Sequence, residues 1–353
     1  MSFKTETMYS DREIEILNLI QERQPCSSKE IHEGITAPVS YATVKRILSK
    51  LYGENFLYTE GKGKGTRYFI SPSYELLREI DIDDYFSKEI DERKIKDRFN
   101  IRLLPEVLSK TSIFTNEESA RLTSLQQEFQ QNISQADESE YKRDLERLAI
   151  DLSWKSSQIE GNTYSLLETE RLLKEKETAS GKTKEEAIML LNHKEALDFI
   201  ILHPDYLTPL SVSKIEDIHS LLIKDLHINR NIRKRRVGIT GTNYRPLDNE
   251  FQITEALSMM CDLINAKENI FEKALLILVL LSYIQPFTDG NKRTARIVSN
   301  AILINSKYCP LSFRTVDSID YKKAMLVFYE QNNIFCFKNI FINQFEFAVK
   351  TYF

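Results

Sequence analysis

Apolar residues recur along most of the chain with the three- and four-residue spacing that places them on one face of an α-helix. Residues 11–52 contain three such stretches, and two short apolar runs follow on either side of the glycine-rich turn 61–65. The predicted helices are 11–21, 27–34 and 40–52. Three helices followed by a hairpin predict a small α+β domain at residues 1–72.

The pattern changes after residue 72 and becomes helical almost throughout. Residues 73–115 are rich in charged side chains and predict a partly structured connector, and a helical domain is expected at residues 116–353. The apolar run 274–281 predicts a buried helix, because spanning a bilayer takes roughly twenty residues. Residues 237–246 alternate around a turn and predict a β-hairpin. The fold class that follows is mainly α.

Composition supports a folded chain. Hydrophobic residues make up 42% of the 353 residues, charged residues 28%, and only 10 glycines and 9 prolines are present. The net charge of −4 gives no general attraction to nucleic acid, so contact with DNA would need a local basic patch. The N-terminus lacks an apolar export segment, so we expect a cytoplasmic protein without membrane contact.

The strongest chemical signal is the run Gln-Pro-Phe-Thr-Asp-Gly-Asn-Lys-Arg-Thr-Ala-Arg at residues 285–296. Asp289 is a hard oxygen ligand of the kind that Mg²⁺ prefers, and Gly290 permits a backbone conformation that other residues resist. The amides of Asn291 and Lys292 would then open a helix toward an anion. Taken alone, the Asp-Gly-Asn tripeptide also fits an ordinary turn with a helix cap.

Two arginines extend this signal. Arg293 and Arg296 lie three apart, so on a helix they share a face from which planar guanidinium groups can hold phosphate oxygens. The whole run resembles the Fic family signature, His-x-Phe-x-Asp-Gly-Asn-Gly-Arg-x-x-Arg. The matching positions are Phe287, Asp289, Gly290, Asn291, Arg293 and Arg296. Two positions differ, since Gln285 stands in place of the histidine and Lys292 in place of the second glycine.

The resemblance implies an all-helical Fic fold with a small β-hairpin flap. It also implies transfer of AMP from ATP to a hydroxyl of serine, threonine or tyrosine in a target protein. In this reading Asp289 holds Mg²⁺ and acts with Gln285, Arg293 and Arg296 in the catalytic set. The contacts to ATP are then expected from Gly290, Asn291, Lys292, Arg293 and Arg296.

Gln285 leaves the enzymatic activity open. A glutamine side chain can orient the acceptor hydroxyl but cannot take its proton, and such general-base help contributes a factor of about 10² to 10⁴. The Asn-Lys-Arg spelling at residues 291–293 is similar to the Doc branch of the family, which transfers the terminal phosphate, so phosphate transfer is a further alternative. The other hypothesis is a catalytically inactive, ATP-responsive DNA-binding transcriptional regulator.

A second segment strengthens the resemblance. Ser156 and Glu160 lie one helical turn apart, and Gly161 and Asn162 follow as a helix end. The segment is similar to the family's inhibitory motif, Ser/Thr-x-x-x-Glu-Gly/Asn. This implies an inhibitory helix near residues 145–161 whose Glu160 pairs with Arg296 and blocks productive ATP binding. A solvated glutamate at a helix end is the alternative.

The predicted hairpin lies before the signature, where the Fic family carries its flap. By this resemblance the ribbon receives the target protein as an extra strand. Its expected tip is Thr240, Gly241, Thr242 and Asn243. The alternative is a surface hairpin with a basic lead-in.

The N-terminal domain resembles the winged-helix DNA-binding domains of bacterial regulators. Residues 45–67 contain six basic and two acidic residues, which concentrates positive charge on the third helix and the wing. The expected DNA contacts are Ser40, Tyr41, Thr43, Lys45, Arg46, Lys62 and Lys64. A protein-docking module is the alternative, and the sequence leaves a homodimer open.

Overall fold

Two structural units share the chain. The computed structural model describes residues 10–36 and 38–353, and it divides the chain between Arg78 and Glu79. The boundary falls inside the charged segment 73–115, so residues 73–78 belong to the first unit and residues 79–115 to the second.

In its described residues, 10–36 and 38–78, the first unit contains four α-helices and one hairpin. Its elements are α1 (Asp11–Arg23), α2 (Ser28–Gly34), α3 (Tyr41–Gly53), β1 (Leu57–Glu60), β2 (Arg67–Ile70) and α4 (Pro72–Leu77). Ser10, Ser27 and Ser40 each cap one of the first three helices by accepting a hydrogen bond from a backbone amide in its first turn. The strands pair antiparallel from Leu57 opposite Ile70 to Glu60 opposite Arg67. The predicted helices and hairpin are therefore confirmed.

The second unit is helical. Its helices are α5 (Ile82–Ser87), α6 (Asn116–Gln135), α7 (Glu138–Ile159), α8 (Leu166–Glu175), α9 (Lys184–Leu202), α10 (Val212–Ile223), α11 (Glu250–Ala266), α12 (Ile270–Ile284), α13 (Asn291–Asn305), α14 (Ser318–Gln331) and α15 (Phe335–Tyr352). Two short helical turns, Ile90–Glu92 and Leu103–Leu108, precede α6. The prediction of a mainly α protein is confirmed.

Helix α12 forms the centre of this unit. All its residues from Ala274 to Ile284 are buried, as expected for the apolar run in the sequence. It packs along α13, and the chain passes between these two helices through the signature loop. Gln285 caps the end of α12 in the left-handed conformation, with φ of 52°. The buried hairpin of helices thus delivers the signature to one end of the core.

The segment before α6 is anchored to this core. The backbone amide of Asn100 donates a hydrogen bond to the hydroxyl of Tyr283 on α12, at 2.9 Å. Arg93 is buried and forms an ion pair with Glu330 on α14, at 3.5 Å. Residues 79–115 are therefore part of the second unit's packing.

Residues 237–246 differ from the sequence-based expectation. They form no strand pair within the described part of the chain; residues 240–241 make a turn, and Arg245 makes a single bridge with Arg98. Side chains form hydrogen bonds with backbone groups that would pair between the two strands of a hairpin. Arg93 Nη2 donates to the carbonyl of Gly241 at 2.7 Å, and the Thr242 hydroxyl accepts from the amide of Tyr244 at 3.0 Å. The segment is an irregular ribbon instead of a β-hairpin.

No helix in residues 10–36 and 38–353 has the length and apolar character needed to cross a membrane.

Candidate phosphate-binding site

The signature loop ends at Gly290, where the backbone conformation requires a glycine. Gly290 has φ of 83°, which L side chains rarely adopt, and α13 begins at the next residue, Asn291. A Cβ atom at Gly290 would also lie 3.3 Å from ring atoms of His219. The first amides of α13 therefore open toward the loop without a side-chain cap, and a helix start of this kind suits an anion.

Two buried amide side chains brace the loop. Asn291 Nδ2 donates to the carbonyl of Phe287 at 2.9 Å, and Asn291 Oδ1 accepts from the amide of Phe287 at 2.9 Å. Asn291 Nδ2 also donates to Gln285 Oε1 at 3.0 Å, while Gln285 Nε2 donates to the carbonyl of Ser282 at 2.7 Å. The polar atoms of the Gln285 side chain thus join the loop to the end of α12, and Gln285 is only 9% exposed.

Asp289 is the exposed carboxylate of the loop. Its Oδ1 accepts from the amide of Gly290 at 2.6 Å and its Oδ2 from Arg293 Nη2 at 3.2 Å, yet 60% of its side chain is accessible. Within the described residues, no group of three or more His, Cys, Asp or Glu is placed to hold a metal ion. One carboxylate still fits Mg²⁺, because this ion commonly takes one or two protein carboxylates together with nucleotide phosphates.

Arg296 and Glu160 meet across 136 positions of sequence. Arg296 Nη2 donates to Glu160 Oε1 at 2.8 Å, and the same arginine donates from Nε to the Ser156 hydroxyl at 2.8 Å and from Nη2 to the Ser156 carbonyl at 3.0 Å. The guanidinium also lies over the ring of Tyr321, 5.3 Å from its centre. The structure therefore brings together Ser156, Glu160 and Arg296, as the two sequence motifs predict.

Glu160 has a second cationic partner. Lys292 Nζ lies 3.1 Å from Glu160 Oε2, so each carboxylate oxygen faces one positive charge of the signature. Burial by itself raises the pKa of Glu160, but the charges and hydrogen bonds of Arg296 and Lys292 outweigh burial and lower it to about 2. The carboxylate is therefore ionised throughout the physiological range.

The end of α7 sets the position of this carboxylate. Glu160 is the C-terminal cap of α7, and Gly161 continues the chain with φ of 102°. Asn162 turns its side chain away from the signature and donates to the carbonyl of Glu186 at 2.9 Å. Gly161 and Asn162 thus shape the helix end, while Glu160 makes the contact with α13.

A cavity of about 450 Å³ lies beside the loop. Its walls come from the end of α7, the ribbon before α11, the signature loop and α14. The lining residues include Glu160, Thr240, Gln285, Asp289, Gly290, Asn291, Lys292, Lys322 and Tyr329. This volume lies within the range of small-molecule sites.

The two arginines of the signature do not line this cavity. The side chains of Arg293 and Arg296 are 1% and 0% exposed. Arg293 Nε and Nη1 have no hydrogen-bond partner in the part of the chain that the structure describes. The sequence predicts a pair of arginines facing phosphate, whereas here Arg296 faces Glu160 and Arg293 faces Asp289.

His219 is a neighbour of the loop that sequence reasoning did not identify. Its ring stacks on Phe287 with centres 3.6 Å apart and planes 5° apart, and its Nε2 donates to the carbonyl of Asp289 at 2.9 Å. Burial is the main cause that lowers the pKa of His219 to about 4, so the ring is neutral. Its place in the amphipathic stretch of α10 was the only signal in the sequence.

The ribbon before α11 approaches the loop from outside. Thr240 lines the cavity, and Asn243 Nδ2 donates to Asp91 Oδ1 at 2.8 Å. Arg233, from the basic lead-in, is buried and donates from Nε to the carbonyl of Gln285 at 2.6 Å. This arginine therefore fastens the start of the ribbon to the signature loop.

The predicted DNA contacts lie on α3 and around the hairpin of the first unit. Lys45, Arg46, Lys62 and Lys64 are exposed. Ser40 instead serves α3 as its N-cap, and the hydroxyl of Tyr41 is 2.7 Å from that of Ser28. Thr43 is half-buried at the start of the same helix, with its hydroxyl 2.9 Å from that of Ser40.

Family comparison assigns both parts of the chain. The model of the Fic/DOC family matches residues 209–303, from just before α10 into α13, and this match includes the whole signature loop. These residues are a Fic/DOC family domain. The model of the penicillinase repressor family matches residues 9–96, which include α1 to α3 and both strands. The chain thus joins a repressor-type winged helix to a Fic domain, as the sequence predicts.

Related proteins agree with the Fic assignment. The protein adenylyltransferase Fic of Nematostella vectensis is 29% identical over 188 residues, which cover 51% of this chain and 43% of the relative. The protein adenylyltransferase fic-1 of Caenorhabditis elegans is 26% identical over 176 residues, which cover 48% of this chain and 34% of the relative. The matched part of the chain therefore spans less than half of the length of these relatives.

Solved structures share the fold. Fic-1 from C. elegans has a TM-score of 0.59 at 22% identity, covering 67% of this chain and 72% of that chain. A signalling protein from Bacteroides thetaiotaomicron that contains a Fic domain has a TM-score of 0.56 at 20% identity, covering 65% of this chain and 94% of that chain. At these identities the likeness shows the Fic fold alone.

Proposed function

We propose that the second unit binds ATP with Mg²⁺ and acts as an auto-inhibited protein adenylyltransferase. The observation that carries this proposal is the contact between Glu160 and Arg296 at the entrance of α13. Glu160 occupies the guanidinium that a phosphate group would need, so the resting protein holds its own anion in place of the nucleotide. Removing Glu160 therefore exposes the site.

The loop supplies the remaining groups for binding. The uncapped amides at the start of α13 would face a phosphate group. Arg296 would keep its place and donate from Nη2 to a phosphate oxygen once Glu160 leaves. Asp289 would hold Mg²⁺, which supplies charge neutralisation at the phosphates when bound. The ribbon lines the cavity with Thr240, and a target protein bound along the ribbon would bring its acceptor hydroxyl to this place.

The transfer itself joins the acceptor oxygen to the α-phosphorus of ATP and breaks the bond to the β-phosphate, so that pyrophosphate leaves. The proton of the hydroxyl goes to water, because Gln285 has no basic atom and its two polar side-chain atoms are hydrogen-bonded to Ser282 and Asn291. We therefore expect slow transfer even after Glu160 is removed. A histidine at position 285 would restore a general base and raise the rate.

Gln285 also favours a second candidate function. Gln285 braces the loop, which suits a site that binds ATP without turning it over. With a repressor-type winged helix in the same chain, the protein would then be an ATP-responsive DNA-bound regulator. Its exposed Lys45, Arg46, Lys62 and Lys64 would contact DNA phosphates and base edges.

Labelled ATP separates these functions. The wild-type protein, Glu160→Gly, Gln285→His and the double variant are incubated with cell lysate and ATP labelled at the α- or the γ-phosphate. Protein label from the α position, strongest in the double variant, supports AMP transfer, and label from the γ position alone means phosphate transfer. If no variant labels protein although all bind ATP, the transferase proposal is lost and the regulator remains.

A further inference from the structure

Lys292 differs from the other cations of the signature in where its side chain lies. It is the second residue of α13, its side chain is 23% exposed, and it lines the cavity beside the loop. Arg293 and Arg296 are almost completely buried and do not line that cavity. In this arrangement Lys292 is the signature cation that an entering ligand meets.

The same lysine is bound to the inhibitory carboxylate. Lys292 Nζ is 3.1 Å from Glu160 Oε2, on the oxygen that Arg296 leaves open. One carboxylate thus balances two cations, and each loses a partner when Glu160 moves away. A polyphosphate chain can place one phosphate at the uncapped amides of α13 and a further phosphate on these two cations, whereas AMP has only the first.

Lys292 is also free to change partners in a way that Arg296 is not. Arg296 is fixed by Ser156 and by the ring of Tyr321 in addition to Glu160. A lysine carries its charge on a flexible four-carbon stem with three rotatable donors, so it can turn from Glu160 into the cavity without backbone movement. The cavity supplies the space for a ligand at that position.

We propose that Lys292 selects for a nucleotide with a polyphosphate chain: Glu160 holds it in the resting protein, and it binds phosphate oxygens beyond the α-phosphate when Glu160 leaves. The inference rests on the proposed nucleotide site and adds the residue that discriminates ATP from AMP. Lys292 then stabilises the resting state through Glu160 and strengthens the binding of ATP. Its removal therefore weakens both the hold on Glu160 and the affinity for ATP.

The test measures Kd values by calorimetry with ATP and with AMP, both with Mg²⁺. In the Glu160→Gly protein, adding Lys292→Met is expected to weaken ATP binding about tenfold, the usual size of a charge-assisted contact, and to change AMP binding less than about twofold. Lys292→Arg keeps the charge and is expected to stay within about threefold of Glu160→Gly for ATP. In the presence of Glu160, the effect of Lys292→Met on ATP should be smaller, because the lysine must first leave the carboxylate.

Lys322→Met is the matched control. Lys322 lines the same cavity from α14, and its contacts do not include Glu160. Its effect on ATP binding is expected to be the same with and without Glu160. Equal losses for ATP and AMP on Lys292→Met, or no loss for ATP in the Glu160→Gly protein, would overturn the inference. Failure of the Glu160→Gly protein with intact Lys292 to bind ATP would instead remove the nucleotide site itself.

Discussion

Arg296 Nη2 and Glu160 Oε1 lie 2.8 Å apart, in a place where the arginine side chain has no exposed surface. A buried guanidinium without an anion is unfavourable, because its charge has left water. Glu160 can therefore leave only when another anion takes its place or when the arginine regains solvent. In the proposed function, this relationship would link nucleotide binding to the end of α7.

Replacing Arg296 by alanine should destabilise the second unit by about 3 kcal/mol, the usual cost of breaking a buried ion pair. The single tryptophan, Trp154, lies on α7 and reports the unfolding of this unit in urea by fluorescence. Arg121→Ala is the control, since Arg121 is 51% exposed and pairs with Glu346 on the surface; it should cost less than about 1 kcal/mol. Equal losses in the two variants would contradict the buried contact.

Acid should weaken the fold through Glu160. Its pKa is lowered to about 2 in the folded protein, so the unfolded chain takes up the proton first as pH falls. The contribution is complete above pH 4.5, the ordinary value, and is lost between pH 4.5 and about 2. It amounts to about 3 kcal/mol, because one pKa unit corresponds to roughly 1.4 kcal/mol. Glu160→Gln should show a correspondingly shallower loss of unfolding free energy over this window, and identical pH profiles would argue against the ionised contact.

His219 is expected to stabilise the signature loop through its contacts with Phe287 and Asp289. His219→Ala removes the ring that stacks on Phe287 and leaves the Asp289 carbonyl without its donor, so the second unit should lose about 3 kcal/mol. ATP affinity measured with Mg²⁺ should fall as well, because Asp289 and the helix start are no longer fixed. His203→Ala, at an exposed position, should change both quantities little. A His219→Ala protein with unchanged ATP affinity would show that the loop keeps its shape without the ring.

The first unit should bind DNA through its exposed basic residues. Each of Lys45, Lys62 and Lys64, when replaced by alanine, should weaken binding to any sequence and reduce the salt slope by about 1 if it contacts a phosphate. Lys29→Ala is the control, because Lys29 is 79% exposed on α2, where it pairs with Glu33. Fluorescence anisotropy with a labelled duplex at several salt concentrations gives the slope. Slopes that do not differ between control and variants would favour a protein-docking role.

Local patterns predicted the fold because they carry its physical causes. Apolar periodicity located α1 to α3, and the apolar run located α12. The ribbon at residues 237–246 was not predictable, because its hydrogen-bond partners come from distant side chains such as Arg93. A period-two pattern cannot tell such a ribbon from a paired strand.

The candidate site also contains residues that local sequence predicts and residues that it does not. Gly290 and Asn291 follow from local backbone geometry, so the sequence was sufficient to identify them. His219 lies 70 positions from Asp289, and its neutral buried ring has no local signature. Lys292 was expected from the sequence as an ATP contact, but its pairing with Glu160 depends on the distant end of α7 and has no local signal.

The affinity for ATP with Mg²⁺, measured by calorimetry on the wild-type and Glu160→Gly proteins, tests the central claim most directly. We expect Glu160→Gly to bind ATP at least about tenfold more tightly, because Arg296 and Lys292 no longer have to leave a carboxylate. Glu170→Gly, which removes a surface partner of Lys174, should leave the affinity unchanged. Equal ATP affinity in the wild-type and Glu160→Gly proteins would contradict the account.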